Sequence, residues 1–164
     1  MQVEEKNGEI LITDFNELEA YKISRKVEND GLEFYKEMLK SSDNPKTSEI
    51  LQILVDEEKK HLKYFENSIF KLRENVEEQF EDDDLMDFAD TGIFPSNDQQ
   101  ELSKLMNDPK KVLEVGMVME MRSINLYKSF QENVSDENTK SELQNIIDEE
   151  LKHKELIKGL AKTL

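Results

Sequence analysis

The 164-residue chain contains two histidines, and each stands three residues after a glutamate in the same local pattern. Asp56-Glu57-Glu58-Lys59-Lys60-His61 and Asp148-Glu149-Glu150-Leu151-Lys152-His153 lie 92 residues apart. The same offset, without a gap, brings Glu28, Tyr35 and Lys36 onto Glu120, Tyr127 and Lys128, and Leu51-Gln52 onto Leu143-Gln144. Residues three apart on a helix share a face one turn from each other. Each Glu-x-x-His pair therefore offers a carboxylate and an imidazole toward one point. Repeated carboxylates and imidazoles of this kind are metal ligands, and metal coordination is the chemistry they suggest.

The spacing also sets their depth. Glu28 and Glu58 are 30 residues apart, with Asp43 midway; Glu120 and Glu150 are also 30 apart, with Ser135 midway. If Asp43 and Ser135 sit in turns between antiparallel helices, each Glu lies roughly 22 Å from its turn at about 1.5 Å per residue. The two carboxylates of a hairpin are then level, and Glu28, Glu58, His61, Glu120, Glu150 and His153 converge near the middle of the helices. Six such ligands suit two ions, each with an imidazole and a carboxylate of its own and the remaining carboxylates shared. Two divalent ions balance four ionised glutamates, whereas four close carboxylates alone would take up protons. Carboxylate and imidazole without thiolate favour iron or manganese over copper(I), and do not exclude zinc.

The elements that must position these groups are four helices. Asn44-Pro45 and Asp108-Pro109 each place a capping side chain before proline at the first helical position, so long helices are expected to begin near 44 and 108. Another is expected from Thr13-Asp14 to Lys40, and a fourth from Ser135-Asp136 almost to Leu164. Leu51, Leu54, Glu58, His61, Phe65, Ser68 and Leu72 recur at steps of three and four, as do Leu143, Ile146, Glu150, His153, Ile157, Leu160 and Leu164, the seam of a packed helix. Leu32, Tyr35, Leu39 and Leu113, Met117, Ile124, Tyr127 mark the other two helices. One Glu and one His interrupt each seam, residues that a core does not choose for stability.

Residues 75–107 form a connection too long for a turn, with the acidic run Glu81–Asp84, Thr91-Gly92, Pro95 and a short helix expected around Gln99 to Met106. Such a crossover makes the second and third helices parallel. The expected fold is an all-α, ferritin-like four-helix bundle over residues 1–164, a single domain: hairpin one over about 14–74, the crossover over 75–107, and hairpin two over about 108–164.

Composition agrees and excludes alternatives. Thirty-eight acidic against 22 basic side chains give a net charge of −16, which argues against binding nucleic acid. Without Cys there is no disulfide framework, thiolate zinc site or cysteine nucleophile. Five Gly and three Pro leave few turn formers, as long helices require. The first residues lack a basic signal-peptide region, and no apolar stretch approaches a membrane span of about 18 residues, so the expected location is the cytoplasm.

Glu28 with Tyr35, Glu58-Lys59-Lys60-His61, Glu120 with Tyr127, and Glu150-Leu151-Lys152-His153 resemble the ligand pattern of the ferritin-like di-iron proteins, and are most similar to the rubrerythrin branch. The resemblance covers residues 14–74 and 108–164. It implies two iron ions, with manganese or zinc as alternatives, and an oxidoreductase that reacts with peroxide or oxygen in peroxidase- or ferroxidase-type chemistry. The six ligands would act through the metals: Glu28 and Glu120 one to each ion, Glu58 and Glu150 bridging, His61 and His153 terminal. The chain departs from the family in two respects. Rubrerythrins usually carry a rubredoxin-like domain with four Cys, so an external donor such as a rubredoxin-type protein is expected here. They also carry an extra Glu one turn after the third-helix ligand, where this chain has Ser123. A homodimer is expected rather than a cage, because no fifth short helix follows. The rival reading is a non-catalytic iron-binding or iron-storage protein.

Other features admit plainer readings. Tyr35 and Tyr127 are either core aromatics with a polar partner, supports for the carboxylates, or redox groups. Met117, Met119 and Met121 read as core filler rather than haem ligands. Glu57 and Glu149, about 100° around the helix from the ligands, face solvent or a neighbouring helix. The Glu81–Asp84 run reads as a solvated loop. Gly31 and Gly116 interrupt helices at about 1 kcal/mol each, for close helix approach or to leave room for a small substrate.

Overall fold

Capping side chains start each helix. Asn16 Oδ1 accepts from Glu19 N and Glu19 Oε2 accepts from Asn16 N, both at 2.9 Å, a reciprocal capping box. Helix α1 accordingly spans Glu17–Lys40, three residues later than Thr13-Asp14 suggests. Asn44 Oδ1 accepts from Lys46 N and Thr47 N at the head of α2, Pro45–Glu74. Asp108 caps α3, Pro109–Asn133, through Lys111 N. Asp136 caps α4, Glu137–Ala161, through the backbone and hydroxyl of Thr139. The computed structural model describes residues 15–72, 104 and 107–163, together with the backbone of 2–6, 9–13 and 73–74. The crossover features, from the Glu81–Asp84 run to the short helix around Gln99–Met106, lie outside the described residues apart from Lys104.

Contacts along the helices fix their directions. Arg25 meets Glu66 at 3.2 Å, running α1 and α2 antiparallel. Phe15, just before α1, packs on Phe130 near the end of α3, so α1 and α3 are antiparallel. Phe65 and Tyr127 pack together, each in the second half of its own helix, so α2 and α3 run parallel, as a long crossover demands. The architecture is the expected ferritin-like four-helix bundle of two hairpins. Its core draws Ile23, Val27 and Phe34 from α1, Leu51, Leu54 and Phe65 from α2, Ile124 and Phe130 from α3, and Leu143, Ile147 and Ile157 from α4. Each such side chain contributes about 1.5–3 kcal/mol when fully buried. Of the two expected seams, Ser68 and Leu72 are only half-buried, and Leu164 lies outside the described residues.

The all-α expectation omits one element, a pair of strands ahead of α1. Strands β1, Gln2–Lys6, and β2, Glu9–Thr13, pair antiparallel with Lys6 opposite Glu9, and β2 packs against α3. The sequence between them is Asn7-Gly8, the dipeptide favoured in two-residue hairpin loops. The apolar run Ile10–Ile12 is thus a β-branched strand. Among the described residues no helix is long and apolar enough to cross a membrane.

Candidate metal centre

Each helix brings one carboxylate to the same depth: Glu28 from α1, Glu58 from α2, Glu120 from α3 and Glu150 from α4. His61 and His153 follow one turn along α2 and α4. All six are between 1% and 3% exposed. They form two overlapping groups. One ligand atom from each of Glu28, Glu58, His61 and Glu150 lies within 4.8 Å of the others, and the same holds for Glu58, Glu120, Glu150 and His153. Glu58 and Glu150 belong to both groups, as the shared positions of a two-ion site would.

The imidazoles enter through Nδ1. His61 Nδ1 is 2.9 Å from Glu150 Oε1 and 3.4 Å from Glu28 Oε2. His153 Nδ1 is 3.0 Å from Glu150 Oε2, with Glu58 and Glu120 oxygens at 3.7 and 3.8 Å. The rings are stacked, with centroids 5.5 Å apart. Despite these short approaches, neither His61 Nδ1 nor Glu28 Oε2 makes an aligned hydrogen bond. A buried imidazole nitrogen and a buried carboxylate oxygen that face one space without an aligned hydrogen bond are a costly arrangement. A cation accepts both lone pairs at once, so the donor set fits a metal.

Two phenols reach the site across the bundle. Tyr35 on α1 donates to Glu120 Oε1 on α3, and Tyr127 on α3 donates to Glu28 Oε1 on α1. Both rings are almost fully buried. Burial first, then the neighbouring carboxylates, push both phenols well above their ordinary range, so they stay protonated and donate. Each orients one carboxylate and leaves its second oxygen toward the cluster.

The electrostatics describe a core crowded with negative charge. Burial, reinforced by Glu28, Glu150 and Glu120, pushes the Glu58 carboxyl well above the carboxylate range. Burial and Glu150 push Glu120 up, against the pull of His153 and Tyr35. Burial acts to raise Glu28 too, but His61, with Glu58 and the Tyr127 hydroxyl, holds it low. Burial opposes charge on both imidazoles. The Glu28 and Glu150 carboxylates overcome it at His61, whose value is raised, whereas at His153 burial prevails and the value is lowered. Without a cation the core holds itself together by retaining protons.

The family model for rubrerythrin matches residues 19–161. The chain belongs to the rubrerythrin family. No curated protein and no solved structure matches it. In this rubrerythrin-family bundle the six expected ligands all meet in one buried carboxylate–histidine cluster, of the kind that holds a metal centre. Ser123, where the resemblance places an additional Glu, is buried, and the two ligand groups stay equivalent in composition.

A helical period gives the face a residue occupies but not its partner, so two contacts were beyond the sequence. Tyr35 and Tyr127 bond across the hairpins rather than within one. Glu149, about 100° from the ligand face, meets the neighbouring helix, where its Oε2 lies 2.7 Å from His61 Nε2. At Gly116 an added Cβ would meet Ile157, Phe34 and Tyr35 only at 3.6–3.8 Å, so close helix approach does not require glycine there. Met119 is buried in the core, and Met121 lies 3.1 Å from Lys154 Nζ at the surface.

Proposed function

We propose that the chain is a non-haem di-iron oxidoreductase that reduces peroxide or oxygen. The observation that carries this reading is the pair of buried four-residue groups sharing Glu58 and Glu150. One ion would be held by Glu28 and His61, the other by Glu120 and His153, with Glu58 and Glu150 between them. When bound, a reduced iron pair supplies the two electrons that peroxide or oxygen accepts; manganese or zinc would fit the same ligands.

The chain's own residues set the conditions for that chemistry. Four carboxylates neutralise two divalent ions, so filling the site removes the repulsion that raises Glu58 and Glu120. The Nδ1 atoms of His61 and His153 present neutral lone pairs. The Tyr35 and Tyr127 hydroxyl protons stay on their phenol oxygens and hold Glu120 and Glu28 in place. The apolar surroundings, including Ile157, Phe34 and Phe65, exclude bulk water and suit a substrate as small as peroxide or oxygen. The electrons are assigned to an external donor such as a rubredoxin-type protein. A cytoplasmic homodimer completes the reading.

Anaerobic loading with Fe(II), followed by one equivalent of hydrogen peroxide, tests it. Uptake of two Fe(II) per chain and consumption of the peroxide as both become Fe(III) is the expected result. Loaded iron that leaves peroxide and oxygen untouched overturns the oxidoreductase reading in favour of iron binding without turnover. A particle of about 24 subunits would replace it with iron storage.

A further inference from the structure

The pseudo-twofold repeat pairs His61 with His153 and Glu149 with Glu57, yet the outer nitrogens of the two imidazoles are held differently. His61 Nε2 lies 2.7 Å from Glu149 Oε2, reaching from α2 to α4. His153 Nε2 is buried and has no hydrogen-bond partner among the described residues. Its counterpart carboxylate, Glu57, is instead paired with Lys60 Nζ on its own helix. An imidazole whose far nitrogen donates to a carboxylate has its tautomer and ring plane fixed. It is also a more basic ligand, and removing such a partner typically lowers metal affinity about 10–100-fold.

We propose that Glu149 is a positioning residue for His61, and that the two metal positions are unequal in consequence, the Glu28–His61 position binding first and more tightly. This inference rests on the metal-centre reading. Glu149 donates nothing to the ion itself. Its Oε2 accepts a hydrogen bond from the Nε2–H of His61 and so directs the Nδ1 lone pair toward Glu28 and Glu150. His153 is seated by packing and by the contacts of its inner nitrogen, nearest to Glu150.

Anaerobic titration of the apoprotein with Co(II), followed by visible absorption, reads each step as its own spectrum and affinity. The wild type should fill in two resolved steps. Glu149→Leu should weaken the first step about 10–100-fold and alter its spectrum, and Glu149→Gln, which keeps an acceptor oxygen, should restore most of the loss. Glu57→Leu makes the same chemical change at the mirror position and should leave the first step unaltered. Glu149 is 42% exposed, so its replacement should not compromise folding, which the apoprotein melting temperature checks. Two unresolved steps in the wild type, or equal responses to Glu149→Leu and Glu57→Leu, overturn the inference while leaving the metal centre standing. Failure of the wild type to take up Co(II) overturns both.

Discussion

Replacing Glu58 with Met should make the metal-free protein more stable and the metal-treated protein less responsive. Glu58 is 3% exposed and lies among three other buried carboxylates. Its carboxyl is pushed up by burial first and then by those neighbours. Methionine has a similar length, contributes no charge and fills the same slot between α2 and its neighbours. Replacing a whole buried ionic cluster by apolar groups of similar volume is neutral or gains about 1–4 kcal/mol, and Glu58 faces like carboxylates rather than a cation, so its removal relieves crowding. With about 2–4 °C per kcal/mol for a chain of this size, a gain of about 2 kcal/mol raises the melting temperature by about 4–8 °C. The wild type recovers ground when metal is present, because a ligand at a hundredfold excess over its dissociation constant adds about 2.7 kcal/mol. Glu58→Met lacks a carboxylate common to both groups and should gain little. The order of melting temperatures should therefore invert between EDTA and Mn(II), read by circular dichroism at fixed protein concentration. If Glu58→Met melts below the wild type in EDTA and keeps the full Mn(II) shift, the carboxylate is a structural group and the reasoning fails.

Further predictions concern the groups around it. Tyr127→Phe leaves the charged Glu28 without its donor and should cost about 1.5–3 kcal/mol in urea unfolding of the apoprotein; Tyr35→Phe, at a Glu120 that burial pushes toward its neutral form, should cost only about 0.5–1.5 kcal/mol. Equal losses would contradict the different charge states. Glu58 and Glu120 are raised above 4.5, so the folded apoprotein holds protons there that the unfolded chain has released. Their contribution to apoprotein stability is present in full below 4.5 and is lost as pH rises through the folded values. Metal binding should expel those protons and weaken as pH falls. Calorimetric titration in two buffers of different ionisation enthalpy should show proton release, and heats independent of buffer would contradict it.

Much of this was legible in the residues because the chain is two copies of one hairpin. The 92-residue offset and the equal 30-residue spacings place the six candidate ligands at one depth, and every one of them is buried there. The proline-bearing caps at Asn44 and Asp108 marked helix starts because a fixed ring and an Asx side chain act locally. What escaped depends on rotation and on partners distant in sequence. Tyr35 shares a helix with Glu28 yet bonds Glu120, a choice set by how α1 packs on α3. Glu149 has an angle around its helix but no sequence mark that names His61. The β1–β2 pairing has a local mark of a different kind: Asn7-Gly8 in the sequence between two short runs, with the β-branched Ile10 and Ile12 in the second.

In the proposed function the buried cluster holds two metal ions between Glu58 and Glu150. Crystals of the protein equilibrated with Mn(II) and measured for anomalous scattering test it most directly. Two peaks about 3.5–4 Å apart are expected, one beside Glu28 and His61 and the other beside Glu120 and His153. Peaks confined to surface carboxylates, with the bundle core empty, would contradict it.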